Sequence, residues 1–168
     1  AEQSNFNYIQ FNLRSNLTVD SIIYHNSKIT GYSFLDNITL NIPLPTIIPI
    51  HQLDSIKVYY QGMPIQDGYG TFSSGSTGCS GSNNKVLWTL SEPLGSKNWW
   101  PCKESLYDKA DSIEIKITCP VPYRVGANGL LIDSTTTNNK TTYTWKHRYP
   151  VPPYLVGFAI ADYSSYID

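Results

Sequence analysis

Ser112-Ile113-Glu114-Ile115-Lys116-Ile117-Thr118 carries an isoleucine at every second position and a polar residue at each position between. Strict alternation sends successive side chains to opposite faces, so the run reads as a strand in a sheet with one apolar and one wet face. The same period recurs along the chain in both directions, at residues 8–13, 18–24, 37–42, 55–60, 86–90, 142–146 and 155–160, while a helical period is nearly absent. The strand at 37–42 is expected to stop at Pro43, because proline cannot donate to a ladder. Short strands separated by Pro, Gly and Asn predict an all-β, two-layer β-sandwich-like domain with little helix. Asn128-Gly129 has the chemistry of a type I′ hairpin turn, and Asn138-Asn139 suits a looser one. Only residues 103–111 are expected to hold a helical turn.

The bulk properties agree with one globular domain of 168 residues: 40% hydrophobic, 15% charged, and rich in aromatics, with 13 Tyr, 4 Trp and 5 Phe. A net charge of −1 supplies no basic field for nucleic acid or an anionic membrane surface. No apolar run approaches the roughly 20 residues that span a bilayer. The three cysteines have no metal-binding spacing. Cys102 and Cys119 read as buried thiols, and Cys79, in a Gly/Ser loop, as an exposed one. Residues 62–85 form an unusually long Gly- and Ser-rich stretch, expected to be a surface excursion.

Little in the chain reads as catalytic machinery. His25, His51 and His147 are isolated, without a second histidine at helical spacing, and no nucleophile elbow is present. Asp108 and Asp111 flank Lys109-Ala110 and describe a charged turn. Trp99 and Trp100, on a segment expected to be extended, should point to opposite sides and serve packing rather than sugar stacking.

The exception is Ser91-Glu92-Pro93-Leu94-Gly95-Ser96-Lys97-Asn98-Trp99-Trp100-Pro101-Cys102-Lys103, followed by Asp108-Lys109-Ala110. Glu92, Pro101 nine residues on, Cys102 and Lys109-Ala110 match the amine-recognition segment of zinc aminopeptidases of the M1 (gluzincin) family, and the chain resembles their N-terminal domain. Tyr60-Gln61-Gly62-Met63-Pro64, Ala127-Asn128-Gly129, Thr141-Thr142-Tyr143-Thr144-Trp145 and Tyr149-Pro150-Val151-Pro152-Pro153-Tyr154-Leu155-Val156 are also similar to family runs. The Trp-Trp-Pro-Cys-Lys variant resembles a bacterial branch. Two positions depart from the pattern: Leu90 stands where many members carry Gln, and Ser96-Lys97 where they carry Ala-Arg.

The resemblance implies that residues 1–168 are a single, saddle-shaped N-terminal β-domain of a longer aminopeptidase, with the catalytic domain outside this chain. It implies zinc in the full-length enzyme, held by a His-Glu-x-x-His helix absent here, so this chain is expected to bind none and to be inactive alone. It implies that Glu92 binds the free ammonium of peptide substrates, an acceptor-only carboxylate suited to a cationic terminus. Pro93 is expected to hold Glu92 extended; otherwise a carboxylate there would be an ion-pair partner of a lysine such as Lys97. The remaining partners implied are the enzyme's own catalytic domain, packing on exposed aromatics among Trp99, Trp100, Tyr107 and residues 149–154, with no nucleic acid and no membrane span. A secreted or periplasmic setting is favoured over the cytoplasm. The competing reading is a non-catalytic β-sandwich that binds carbohydrate or protein.

Overall fold

The computed structural model describes residues 6–67, 70–76 and 85–164. The fold is all-β and sandwich-like, with antiparallel sheets throughout and, among the described residues, helical geometry only in the 3₁₀ turns Ser96–Asn98 and Pro153–Leu155. The expected helical turn at 103–111 does not form. There Ser105 Oγ accepts the Tyr107 and Asp108 N–H groups, and Ala110 pairs with Val151, which ties up the backbone otherwise. No helix among the described residues is long and apolar enough to cross a membrane.

Contacts gather into two compact units, Ala1–Ile65 with Ser96–Glu104, and Gln66–Gly95 with Ser105–Asp168. The first holds β1 (Phe6–Asn12), β2 (Thr18–Tyr24), β3 (Ser27–Ile29), β4 (Ser33–Phe34), β5 (Thr39–Ile48) and β6 (Ile56–Gln61), in sheets ordered β1-β5-β4 and β3-β2-β6. Leu13, Leu17, Val19, Ile22, Leu40 and Ile42 form the shared core of these sheets. Each such side chain contributes about 1.5–3 kcal/mol through removal from water. Contrary to the expected stop at Pro43, β5 continues to Ile48. Its neighbour β4 pairs only with Leu40 and Asn41, and the β1 register shifts beyond Tyr8↔Pro43, so Pro43 and Pro45 occupy an edge where a missing donor is tolerated.

The second unit holds β7 (Phe72–Ser76), β8 (Lys85–Thr89), β9 (Ile113–Pro120), β10 (Arg124–Ala127), β11 (Leu130–Thr137), β12 (Lys140–His147) and β13 (Phe158–Ala161). Their orders are β10-β13-β8-β7 and β11-β12-β9. β9 alternates half-buried isoleucines with exposed Glu114, Lys116 and Thr118, as its sequence requires. The 62–85 stretch is not only an excursion: its middle is β7, zipped to β8 from Phe72↔Thr89 to Ser76↔Lys85. Cys79 falls outside the described residues.

The two Asn turns exchange roles. β10 pairs with β13 and β11 with β12, so no hairpin closes over Asn128-Gly129. Asn128 instead anchors the chain as it changes sheets, accepting the Gly157 N–H at 2.7 Å and donating to the Leu155 carbonyl at 2.9 Å. Gly129, at φ +90°, runs so close to β12 that a Cβ would stand 2.1 Å from the Lys146 carbonyl oxygen. The tight hairpin is at Asn138-Asn139, with φ 51° and 59° between the paired Thr137 and Lys140. His25-Asn26, at φ 45° and 65°, makes a second one between β2 and β3.

Candidate functional site: the Glu92 turn

Beyond β8 the chain enters a turn closed by the Gly95 N–H donating to the Ser91 carbonyl at 2.8 Å. Ser91, at its base, is buried, while Glu92, Pro93 and Leu94 form an exposed tip. Glu92 lies in this turn, and the Glu92–Pro93 peptide bond is cis. The turn rests on Thr71. The Leu90 N–H donates to the Thr71 carbonyl at 3.1 Å, and Thr71 Oγ1 donates to the Asp67 carbonyl at 2.8 Å.

Asp67, Thr71, Glu92, Pro93, Leu94 and Gly95 line a depression of about 160 Å³. Its two titratable residues, Asp67 and Glu92, are both acidic. No hydrogen bond or ion pair to the Glu92 carboxylate forms among the described residues of its unit. Asp67 is a wall residue that sequence reasoning missed. It sits in the Gly-rich stretch with no motif around it.

The rest of the motif, residues 96–104, is built into the other unit. Asn12 and Cys102 exchange backbone bonds at 2.7 and 3.1 Å, Glu104 N–H donates to Asn12 Oδ1 at 3.0 Å, and Arg14 Nε donates to Asn98 Oδ1 at 2.8 Å. Lys97 bonds Glu104 within this segment at 2.6 Å. The tryptophans follow the 3₁₀ turn, and their backbone N–H groups both donate to the Ser96 carbonyl. Their rings lie 5.8 Å apart at 49°, so they do not point to opposite sides, because the backbone is turned where extension was expected. Both are half-buried, and Tyr60 donates its hydroxyl to the Trp99 carbonyl at 2.8 Å. Burial, with the nearby Glu104 charge, pushes the Cys102 thiol up to about 12, which leaves it protonated and inert. Cys119 is also a buried free thiol, raised by burial.

His25 Nε2 lies 2.7 Å from Asp54 Oδ1, and His147 packs edge-on to Tyr149 at 6.0 Å. Among the described residues no three His, Cys, Asp or Glu side chains converge as metal ligands. Recognition of a cation is within the reach of this arrangement.

No family model matches the sequence, and no curated protein does either. Solved structures do. The chain superposes on an M1 zinc metallopeptidase from Deinococcus radiodurans with a TM-score of 0.77 and 22% identity, covering 95% of this chain and 35% of that one. A two-domain M1 zinc metallopeptidase variant bound to L-arginine gives 0.79 and 21%, with the same coverage. A Deinococcus radiodurans variant bound to a Tyr-Ser-Ala substrate gives 0.78 and 21%. The fold is thus one found within M1 zinc metallopeptidases, and the chain spans 35% of the length of these neighbours.

Proposed function

We propose that this chain is the N-terminal β-domain of an M1-type zinc aminopeptidase, and that Glu92 binds the free ammonium of the peptide to be shortened. The observation that carries the reading is Glu92 itself, exposed at the tip of a turn whose base is buried and hydrogen-bonded. The motif spacing from Glu92 to Pro101-Cys102 supports it, as does the fold shared with a metallopeptidase that binds a Tyr-Ser-Ala substrate. The Trp99-Trp100-Pro101-Cys102-Lys103 run supports assignment to a bacterial branch.

The task needs only elementary electrostatics. A free N-terminus is a cationic donor, whereas an internal peptide nitrogen is neutral and carries one N–H. A fixed carboxylate makes a charge-assisted hydrogen bond with the first, worth about 1.5–3 kcal/mol. That corresponds to roughly one to two orders of magnitude in affinity. Zinc would supply Lewis-acid chemistry in the complete enzyme, but the described residues do not fit it, and no hydrolytic step is assigned to them. Exposed Leu106, Tyr107, Tyr149 and Leu155 supply apolar surface on which a catalytic domain would pack.

The complete protein carrying this chain should hydrolyse amino-acid anilides in a zinc-dependent manner and leave the N-acetylated anilides intact. Equal turnover of free and acetylated substrates would remove amine recognition from the account. Absence of both activities would favour a binding module.

A further inference from the structure

We propose that Thr71 and Gly95 are positioning residues for Glu92, locked together so that the carboxylate is held at one place; the inference rests on Glu92 being the amine-binding group. A Cβ on Gly95 would stand 2.7 Å from Thr71 Cγ2, 2.8 Å from Thr71 Oγ1 and 3.2 Å from the Ser91 carbonyl oxygen. Carbon atoms in contact prefer about 3.5–4.0 Å, so the space between turn and threonine is already full. Gly95 is not at positive φ. What glycine provides here is close approach, not an unusual backbone.

Thr71 is a firm surface to approach. It is 3% exposed, and Ser91, at the other end of the contact, is 1% exposed. Thr71 Oγ1 is fixed on the Asp67 carbonyl, and its own carbonyl holds the Leu90 N–H, two residues before Glu92. An added methyl at Gly95 therefore moves the turn, and Glu92 with it, before it moves Thr71. The Gly95–Thr71 contacts lie in the wall of the Glu92 depression and act through Glu92. They fix the distance at which Glu92 meets the ammonium, and a misplacement of about 1 Å can cost up to a hundredfold in rate.

The test uses the complete protein with Gly95→Ala, Thr71→Ala and the double variant. Each is assayed with a free amino-acid anilide and with a hydroxamate inhibitor that lacks an amine, alongside thermal unfolding. Gly95→Ala should lower kcat/KM for the anilide about tenfold while hydroxamate affinity stays within about twofold. Thr71→Ala should lower it less, about threefold. The double variant should recover most of the Gly95→Ala loss, because removing Cγ2 and Oγ1 clears the space the new methyl needs. A merely structural role would change anilide and hydroxamate alike. Equal losses for anilide and hydroxamate, or no recovery in the double variant, would overturn the proposal. If Gly95→Ala fails to fold, Thr71→Ala decides: an amine-selective loss supports the lock, and an unchanged anilide-to-hydroxamate ratio overturns it. Glu92→Ala separates the two claims. A Glu92→Ala enzyme with intact amine selectivity defeats the reading of Glu92, whereas loss there with none at Gly95→Ala defeats the positioning alone.

Discussion

Lys97 Nζ lies 2.6 Å from Glu104 Oε2, with the two side chains 15% and 8% exposed. This part-buried pair closes the 97–104 segment on itself, and the Asn12–Cys102 bridge fastens the segment to the end of β1. The motif that follows Glu92 is thus held by a charge pair as well as by backbone bonds.

Removing one partner should break a part-buried, charge-assisted hydrogen bond. Glu104→Ala is expected to destabilise the protein by about 1.5–3 kcal/mol, and the apolar double replacement Lys97→Met/Glu104→Leu to cost less. Denaturant unfolding measures both. A Glu104→Ala cost below about 1 kcal/mol would give the pair the weight of an ordinary surface ion pair.

Asp54 gathers three donors: the Tyr24 hydroxyl at 2.5 Å, His25 Nε2 at 2.7 Å and the Ser55 N–H at 2.7 Å. The Tyr24 hydroxyl, ahead of the His25 and Ser55 bonds, holds its carboxyl below the ordinary carboxylate value. A lowered carboxylate contributes stability above its unfolded value of about 4 and loses it as pH falls through the folded value. Asp54→Asn should therefore lower Tm at pH 7, and the gap to wild type should close below about pH 4. A gap that stays constant on acidification would show that the ionised form is not what stabilises the turn.

Asn138 and Asn139 occupy left-handed backbone at φ 51° and 59°. Such a conformation costs ordinary side chains about 1–2 kcal/mol. Asn138→Val should destabilise by that amount, and Asn139→Gly should be neutral or mildly stabilising. Chemical denaturation of the two variants checks the ordering.

Much of the fold is legible where one sheet face meets the core. Ile113, Ile115 and Ile117 alternate because the face they line is half-buried while Glu114, Lys116 and Thr118 meet solvent. β7 was not legible: Phe72-Ser73-Ser74-Gly75-Ser76 has no apolar period and becomes a strand only by pairing with β8. The two Asn turns carry similar local chemistry, and what separates them is distant, since β10 finds its partner in β13. The same division holds at the site. Glu92 is marked by its spacing to Pro101, whereas Thr71 and Asp67 reach it through tertiary folding of a Gly-rich stretch that advertises nothing.

The chain by itself should release no product from amino-acid anilides, with or without added zinc, because its described residues present no convergent ligand set for the metal. Chromophore release by the pure, metal-loaded chain would contradict the division of labour between domains.

The most direct measurement is Glu92→Ala in the complete protein, comparing a peptide bearing a free N-terminus with a zinc-directed inhibitor that has no amine. The account predicts a loss of about ten- to a hundredfold in kcat/KM for the peptide, the weight of one charge-assisted hydrogen bond, with near-unchanged affinity for the inhibitor and an unchanged Tm. Equal losses for peptide and inhibitor would contradict it and make Glu92 a structural residue.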